Sequence, residues 1–297
     1  MSSGANQESD LGVTRGKVRP PLKWAGGKYR LIEEIRRLLP GGSRLIEPFV
    51  GSAAVFLNTE YERYLISDIN RDLILFYRTL KTERHRFITY CRKLFIPGHN
   101  TATAYYQLRD EFNSTRKPLR KAALFLYLNK HGYNGLCRYN NAGDMNVPFG
   151  RYEQPYLPER EMLAFIHKAE RLRIQHEDFT VVMRAARKGD VIYCDPPYVP
   201  LSDTSNFTSY SAGGFSLGDQ RRLAELAEET AGRGIPVLIS NHCTAYTETI
   251  YARAVVSRLS VRRLISCNGS KREHAKEILA LFDGERRGDS ERAARHD

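Results

Sequence analysis

The sequence predicts an α/β protein in which a sheet domain carries an inserted all-helical module. The first observation is a short apolar run at residues 191–194, rich in β-branched and aromatic residues, which stops at an acid and two prolines. Such a run is typical of a buried strand. The second is a strand, glycine turn and helix over residues 44–56, which resembles the opening of a nucleotide-binding βαβ unit. The third is a change of character at residues 71–158, where apolar helical stretches alternate with basic loops.

The composition limits the class of protein. The chain has 297 residues, 41% of them hydrophobic, which is enough for one large domain or for one domain with an insertion. No apolar run approaches the roughly 18 residues of a membrane span, and the N-terminus lacks the apolar core of a signal peptide. We therefore expect a soluble, cytoplasmic protein. The five cysteines are scattered and form no Cys-x-x-Cys pair, so we expect no disulfide framework, no zinc site and no other metal.

The net charge of +12 indicates a polyanionic partner. A merely basic surface is the alternative, but a charge of this size favours nucleic acid.

The chain opens with a polar, charged stretch at residues 1–19, which we expect to be a disordered tail. The sequence Gly26-Gly27-Lys28 then precedes a helix predicted at residues 29–39, with Trp24 beside it. A phosphate-binding P-loop is excluded because Tyr29 stands where that motif needs Ser or Thr for magnesium. The glycines are better explained by a close approach of the backbone to a ligand at a helix N-terminus.

The first strand is predicted at residues 44–48 and leads into a turn at Gly51. This turn does not complete a Gly-x-Gly-x-x-Gly motif, because Ala53 stands at its second glycine, so the sequence gives little support to a dinucleotide site. The next strand, residues 64–67, ends at Asp68. Its carboxylate can accept hydrogen bonds from both hydroxyls of a ribose, or it can cap the following helix; the upstream glycine turn favours the ribose.

The helical module contains the segment that bears most on a nucleic-acid partner. Its helices, predicted at residues 72–81, 103–113 and 119–128, precede residues 130–152, which are rich in Gly, Asn, Tyr and Arg. Such residues make a poor core and a good contact loop or hairpin, since Arg reads guanine, Asn reads adenine or phosphate, and Tyr can wedge between bases. An ordinary surface loop is the alternative, but basic and aromatic residues together favour nucleic acid.

After a helix at residues 158–171, the chain returns to the sheet. A short strand is predicted to begin at Ile174, and Asp178 and Phe179 beyond it could meet an adenine ring. Residues 199–215, rich in Ser, Thr and Gly, are predicted to form a mobile lid. The last predicted elements are a helix at 217–231, a strand at 235–242, a strand pair at 254–265 and 277–282 joined by a basic turn at 268–272, and a disordered tail at 284–297.

The strand at residues 191–194 presents Asp195 and Tyr198 at its carboxyl end, where ligands bind in open α/β sheets. The two prolines keep the following backbone stiff and extended. An exocyclic amino group on a planar base has two N–H donors, which the Asp195 carboxylate and the Pro196 carbonyl can accept while the nitrogen lone pair stays free to attack an electrophile. Tyr198 can stack on a base that has left the duplex. A plain strand end and turn is the alternative, and it would suffice for Asp-Pro alone.

The string Asp195-Pro196-Pro197-Tyr198 behind an apolar strand is the signature of amino-methyltransferases that act on adenine or cytosine. From residue 22 to residue 282 the chain resembles the Dam-type DNA adenine-N6 methyltransferases, the alpha group in which the cofactor motif comes first and the catalytic motif last. The motifs that carry the resemblance are LKWAGGK (22–28), EPFVG (47–51), YNGLCRYN (133–140), NVPFGRY (146–152), VIYCDPPY (191–198) and PVLISNH (236–242).

The resemblance implies a Rossmann-like S-adenosylmethionine-dependent methyltransferase fold, with a mostly parallel seven-stranded sheet and an antiparallel last strand. Residues 20–70 and 159–283 would form the catalytic domain and residues 71–158 the target-recognition module. The implied activity is transfer of the methyl group of S-adenosylmethionine to adenine N6 in double-stranded GATC, by base flipping and direct transfer.

Carried over position by position, the resemblance also implies the site residues. Asp195, Pro196 and Tyr198 would hold the flipped adenine. Lys23, Leu136, Arg138 and Pro148 would read the bases, while Tyr133 and Asn134 would enter the stack that the adenine leaves. The full cofactor set is Trp24, Lys28, Phe49, Gly51, Asp68 and Asp195, and the full DNA set is Lys23, Tyr133, Asn134, Leu136, Arg138, Asn140, Pro148 and Arg151.

One position departs from the family, which commonly has Gly where this chain has Ala53. We expect the extra methyl to crowd the cofactor loop and to affect cofactor affinity without abolishing binding.

Three other functions stay open at this point: an amino-methyltransferase acting on cytosine N4 or on an RNA or protein amide, a DNA-binding protein without activity, and a nucleotide enzyme with a small substrate. The absence of a Pro-Cys motif argues against the carbon-5 cytosine enzymes. The sequence leaves open whether replication, mismatch repair, restriction–modification or a phage genome is served. A monomer is the default for an enzyme that modifies a palindrome one strand at a time.

Overall fold

The computed structural model describes residues 16–199, 214–262 and 274–284 of the chain. These residues form a seven-stranded sheet in the order β3-β2-β1-β4-β5-β7-β6. The strands are β1 (Arg44–Glu47), β2 (Arg63–Ser67), β3 (Leu172–Gln175), β4 (Asp190–Cys194), β5 (Val237–His242), β6 (Val255–Arg262) and β7 (His274–Phe282). Strands β1 to β5 pair in parallel, and β7 runs antiparallel to both of its neighbours. The predicted Rossmann-like sheet with an antiparallel last strand is confirmed.

Helices cover both faces of this sheet, which is why its central strands are apolar along their whole length. The helices are α1 (Ile32–Leu38), α2 (Ala54–Asn58), α3 (Arg71–Arg92), α4 (Ala102–Ser114), α5 (Pro118–His131), α6 (Glu159–Lys168), α7 (Phe179–Arg184), α8 (Leu217–Gly232) and α9 (Ala245–Ile250). Residues of α1 to α6 contribute to the hydrophobic core on one face, and residues of α7 and α8 to the core on the other.

The core on the α1–α6 face is aromatic and continuous. Tyr77 of α3 stacks on Phe165 of α6 with ring centroids 5.0 Å apart, and Phe76 lies 6.2 Å from Phe125 of α5. These rings belong to the same cluster as sheet residues such as Leu45. The helices of residues 71–158 therefore share a core with the sheet, although the predicted domain boundaries themselves stay a prediction.

Several element bounds differ from those predicted. The helix expected at 29–39 is a 3-10 turn (Lys28–Leu31) followed by α1, and β3 begins two residues before Ile174. Helix α3 consists of two helical stretches joined at a kink, where Arg84 has φ of 48° and ψ of −125°. The first stretch is close to the expected helix, and the second, which buries Phe87, Ile88 and Cys91, was not predicted. Helices α7 and α9 were not predicted at all. Most of the predicted lid (residues 200–213), the basic turn at 268–272 and most of both predicted tails lie outside the described residues.

An ion pair fixes the two strands on which the candidate site depends. Arg44 of β1 and Asp190 of β4 are register partners, and the guanidinium donates two hydrogen bonds, of 2.9 and 2.6 Å, to the Asp190 carboxylate. The backbone N–H of Arg187 donates a third, of 2.7 Å. Because side chains alternate along a strand, a slip of one residue would exchange the two faces, so this pair at the amino ends also sets which residues face each other at the carboxyl ends.

Within the described part of the chain, no helix is both long enough and apolar enough to cross a membrane. The same residues contain no group of three His, Cys, Asp or Glu side chains arranged to hold a metal ion.

Candidate active site

The site lies at the carboxyl ends of β1 and β4, the neighbouring strands where the order of the sheet reverses. Such a switch point is the usual ligand site of an open α/β sheet. Leu45, Ile66 and Tyr193 all point into the core on the α1–α6 face, and since strand side chains alternate, the residues two positions later share that face. One face of this edge therefore carries a row of polar side chains from adjacent strands: Asp68, Glu47, Asp195, Ser240 and Glu277.

Asp195 is held by two donors on a single carboxylate oxygen. The Lys28 ammonium lies 2.8 Å from Asp195 Oδ1, and the Ser240 hydroxyl donates to the same atom at 3.0 Å. Ser240 in turn lies 3.0 Å from the Tyr193 hydroxyl. Burial raises the pKa of Asp195, and the Lys28 charge and the Ser240 hydrogen bond oppose that rise. The site thus contains a carboxylate that depends on neighbouring cations and donors for its ionisation.

Tyr198 is fixed at its hydroxyl and along its ring. The hydroxyl donates a hydrogen bond of 3.1 Å to Glu277 Oε2 of β7. The His242 ring meets the Tyr198 ring edge-on at 4.6 Å, and the Lys28 ammonium lies 4.4 Å from the ring centroid. The aromatic face is therefore set in a defined orientation beside the Asp195 carboxylate.

Two buried amides hold the proline segment. Gln220 of α8 donates to the Pro197 carbonyl at 2.6 Å, and Asn241 of β5 donates to the Gln220 side chain at 2.9 Å. The Asn241 oxygen accepts from the backbone N–H of Val199 at 3.2 Å. Among the described residues no donor reaches the Pro196 carbonyl, so this oxygen keeps its hydrogen-bonding capacity, as the proposed amine chemistry requires.

The turn after β1 contains Gly51, a predicted cofactor residue that contacts two others, Trp24 and Asp68. Gly51 has φ of 46°, a conformation that favours glycine, and a Cβ there would lie 2.9 Å from the Trp24 ring. The Gly51 N–H donates to Asp68 Oδ2 at 3.2 Å. Asp68 does not cap the next helix, because Asn70 does so by accepting from the N–H groups of Asp72 and Leu73. Asp68 Oδ1 accepts from the Asn70 N–H at 3.0 Å, so Asp68 supports the turn before this helix although it is not its N-cap.

Phe49, another predicted cofactor residue, belongs to an aromatic group at the same edge. It stacks on Phe179 with ring centroids 5.4 Å apart and meets Phe215 edge-on at 5.5 Å. The Asp68 carboxylate on one side of the Gly51 turn and this aromatic group beyond Phe49 are the groups that a ribose and an adenine ring need. These groups suit the nucleoside part of an adenosine-bearing cofactor.

The segment after α5 forms a hairpin that carries most of the predicted DNA residues. The N–H of Tyr133 donates to the Pro148 carbonyl at 2.9 Å, and the N–H of Asn146 donates to the Arg138 carbonyl at 3.1 Å. The Tyr133 side chain is 52% exposed. Leu136 is half-buried, and the exposed candidates are Tyr133, Asn134, Arg138, Asn140, Pro148 and Arg151.

Lys23 packs beside this hairpin although it lies far away in sequence. Its ammonium lies 3.8 Å from the centroid of the Tyr152 ring, and a Cβ on Gly135 would clash with its side chain. The buried amide of Asn129 accepts from the Lys23 N–H at 2.9 Å and donates to the Lys23 and Gly135 carbonyls at 2.7 and 3.1 Å. The structure therefore brings Lys23 together with the other predicted DNA residues.

Two hairpin residues have clear local roles. The Asn140 side-chain oxygen accepts from the N–H groups of Ala142 and Asp144 at 3.0 and 2.8 Å, so it shapes the turn. The Arg138 guanidinium donates to the side chain and the carbonyl of Asn146 at 2.8 and 3.1 Å, which holds the exposed arginine in place.

Comparisons with known proteins agree with this geometry. The sequence model of the family described as D12 class N6 adenine-specific DNA methyltransferase matches residues 24–266. The chain belongs to this family. It is 52% identical over 266 residues to the DNA adenine methylase of Salmonella typhi, covering 90% of this chain and 96% of that protein. The corresponding figures for the DNA adenine methylase of Escherichia coli (strain K12) are 51%, 90% and 96%.

A solved structure, the C-terminal domain of precorrin-6Y C5,15-methyltransferase from Rhodobacter capsulatus, covers 90% of this chain and 98% of its own, with 10% identity and a TM-score of 0.38. That similarity is too low to bear on function. Family membership makes the chain an adenine-specific DNA methyltransferase, and it removes the inactive DNA-binding protein and the small-molecule enzyme as alternatives.

Several residues of the methyltransferase site were not found from the sequence. Asn129, Ser240 and Glu277 each orient a predicted site residue, and Gln220 holds the Pro197 carbonyl between two of them. Their signal would have been a polar side chain at a buried position of a strand or helix pattern, because such a group needs a partner. Asn241 and Ser240 lie in a motif that was quoted, but without a role for either.

Proposed function

We propose that this methyltransferase transfers the methyl group of S-adenosylmethionine to N6 of adenine in double-stranded GATC, after the adenine has left the duplex. The single observation that carries the proposal is the juxtaposition of the Asp195 carboxylate, the Pro196 carbonyl and the fixed Tyr198 ring at the switch point of the sheet. A base inside a duplex cannot reach a rim of this kind, so base flipping is part of the proposal.

Asp195 and the Pro196 carbonyl accept the two N6 hydrogens, and the Tyr198 ring stacks on the adenine. When bound, the cofactor would supply an electrophilic methyl on its sulfonium sulfur: the N6 lone pair would form the bond to this carbon while the carbon–sulfur bond breaks in line, and the bonding pair would stay on the departing sulfur as a neutral thioether. Asp195 is also the nearest carboxylate to receive the proton that N6 loses. The rate enhancement comes mostly from orientation. Gln220, itself hydrogen-bonded to Asn241, holds the proline segment through the Pro197 carbonyl, and Glu277 holds the Tyr198 hydroxyl.

For the cofactor we propose that Asp68 binds the ribose hydroxyls, and that Trp24 and Phe49 border the pocket at Gly51. Lys28 belongs to the same pocket through its contact with Asp195.

For DNA we propose that Lys23, Leu136, Arg138 and Pro148 read the GATC bases and that Tyr133 and Asn134 fill the space that adenine leaves. Asn140 and Arg151 complete this surface. Exposure of Tyr133 and fixation of Arg138 by Asn146 support these roles. We further propose that the enzyme acts as a monomer in the cytoplasm, where its substrate is found.

The test is methyl transfer from labelled S-adenosylmethionine to two matched duplexes, one with GATC and one with GTTC. We expect label on adenine N6 of the GATC duplex alone. We expect Asp195→Ala to abolish transfer while much of the DNA binding remains, with the exposed Asp110→Ala as a control of equal charge change.

Each other result has a definite meaning. Equal label on both duplexes would leave the chemistry intact and contradict the base-reading roles. Label on cytosine N4 would contradict the adenine assignment, and turnover by Asp195→Ala would refute the proposed amine contacts.

A further inference from the structure

Lys28 contacts Asp195 and Tyr198, the two side chains proposed to hold the target base. Its ammonium lies 2.8 Å from Asp195 Oδ1 and 4.4 Å from the Tyr198 ring centroid. It also donates a hydrogen bond to the Gly26 carbonyl, and the side chain is only 5% exposed. An ammonium is a nitrogen with several N–H donors, so it satisfies Asp195 as the exocyclic amine of a base would.

These contacts occupy one carboxylate oxygen and one aromatic face. Asp195 Oδ1 already accepts from both Lys28 and Ser240, whereas the second oxygen, Oδ2, can still accept an N–H. The Lys28 ammonium lies over the Tyr198 ring, which His242 also borders edge-on. A base that stacks on Tyr198 meets the ammonium over that ring, so its amine reaches Asp195 only when Lys28 moves away.

We propose that Lys28 is a positioning residue that competes with the target base, because its ammonium occupies the contacts on Asp195 and Tyr198 that adenine N6 takes for methyl transfer. The inference rests on the proposed function and refines the cofactor role implied for Lys28. Departure of the ammonium requires rotation of a flexible side chain and no change in the sheet.

Competition between the Lys28 ammonium and the target amine bears on the ionisation of Asp195. Asp195 is faced by the carboxyls of Glu277 and Glu47, by the hydroxyls of Tyr193, Tyr198 and Ser240, and by the Lys28 cation. Burial and the Glu277 carboxyl oppose its ionisation and raise its pKa, so Lys28 is the charged group that favours the carboxylate. Only a base that offers a well-placed amine replaces this interaction, and a base without one leaves the ion pair intact.

The test compares binding of two duplexes that differ only in the amine. One contains GATC, and the other contains purine, which lacks the N6 amine, in place of the target adenine. Dissociation constants are measured without cofactor for the wild type, for Lys28→Met and for Lys188→Met. Lys188 is exposed beside the amino end of β4, at the opposite edge of the sheet, and its substitution makes the same change in net charge.

We expect the preference for adenine over purine to rise roughly tenfold in Lys28→Met, since a charge-assisted competitor is removed, and to stay at the wild-type value in Lys188→Met. In the same variant we expect the acid limb of the pH–rate profile to move to higher pH, because the Asp195 carboxyl loses its cation and its pKa rises further. A lysine that only pairs with Asp195 would also shift the acid limb, but it would leave the preference for adenine over purine unchanged, so the preference is the deciding measurement.

An unchanged or reduced preference in a folded Lys28→Met protein overturns the proposal. If that variant fails to fold, Lys28→Arg keeps the charge, and a preference above that of the wild type contradicts the competition. Methylation of GATC by the wild type tests the proposed function separately, so failure of one conclusion is not mistaken for failure of the other.

Discussion

A buried carboxylate stays ionised only where cations and donors surround it. Asp195 has both, in Lys28 and Ser240. Glu47, on the neighbouring strand, is 2% exposed, and its Oε1 has no hydrogen-bond partner. The two acids lie at the same edge of the sheet, yet their surroundings fit them for different protonation states.

Ala53 holds a left-handed conformation, with φ of 63° and ψ of 29°. A Cβ makes this region costly, and glycine adopts it freely. We therefore expect Ala53→Gly to raise the free energy of unfolding by about 1 kcal/mol, measured by denaturant unfolding.

The neighbouring Ala54→Gly is the matched control. Ala54 lies in helix α2, so the same substitution should lower the free energy of unfolding by about 0.5–1 kcal/mol. Equal effects at both positions would contradict the explanation by backbone conformation.

The expected crowding at Ala53 can now be stated in physical terms. Its side chain is fully buried, and its N–H donates to the Val50 carbonyl at 2.8 Å, so the turn forms with alanine in place. The departure from the family was visible in the sequence, but the backbone strain was not, because a positive φ has no signature when the residue is not glycine. Its effect on cofactor affinity stays a prediction.

At the scale of elements, the pairing of β1 with β4 determines which acids share the pocket. The Arg44–Asp190 pair fixes the amino ends, and Glu47 and Asp195 follow at the carboxyl ends. Burial raises the pKa of Glu47 to about 8, with Asp195 adding to the rise and Lys168 opposing it. Between about pH 4.5 and pH 8, the Glu47 carboxyl is therefore mostly protonated in the folded protein and mostly ionised in the unfolded chain.

The sign of the pH effect follows from this difference. The unfolded carboxyl loses its proton near pH 4.5 and the folded one near pH 8, so the native state binds more protons and stability falls as pH rises through this window. We expect Glu47→Gln to stabilise the protein at pH 8 by roughly 4 kcal/mol, at about 1.4 kcal/mol per pKa unit, and by less than about 1 kcal/mol at pH 5. Thermal unfolding of the wild type and the variant at pH 5 and at pH 8 measures this change in stability.

Exposed Glu62→Gln serves as the control, with little change expected at either pH. A Glu47→Gln variant that is destabilised at pH 8 would show that the ionised carboxylate is the native form.

The sequence predicted the elements whose apolar pattern is long enough to recognise and missed two short helices, although α7 buries Phe179, Val182 and Met183 on one face. Strands β1, β4 and β5 and helices α5 and α8 are long enough for such a pattern. Helices α7 and α9 have six residues each and depend on their caps, Asp178 and Thr244. The catalytic motif was found because four adjacent residues carry it. Its supports, such as Glu277 on β7, come from distant strands that only the sheet order brings together.

At the scale of the whole molecule, the net charge of +12 makes binding to DNA depend on salt. We expect affinity for a GTTC duplex to fall by roughly 10³ between 50 and 200 mM salt, as for proteins that contact six or more phosphates. Arg138→Gln should relax discrimination at one base pair of GATC roughly tenfold and change the salt slope by no more than about one. Fluorescence anisotropy over a salt series, with every single-base variant of GATC, measures both.

Exposed Arg173→Gln on the edge strand β3 removes the same charge and should leave the discrimination unchanged. If Arg138→Gln lowered affinity equally for all duplexes, Arg138 would be a phosphate contact and not a reader of bases.

The shared aromatic core has a consequence for protein engineering. Exchange of the whole segment 71–158 between relatives would replace one side of a packed interface, leaving cavities beside retained core residues such as Phe165, on which Tyr77 now stacks. The hairpin beyond α5 is a better unit for transplantation. It is anchored to α4 through its backbone, with Tyr105 and Arg109 donating to the Val147 carbonyl and Asn113 pairing with Met145. Chimeras cut at residues 132 and 150 should fold, and they offer a route to methyltransferases with new target sequences.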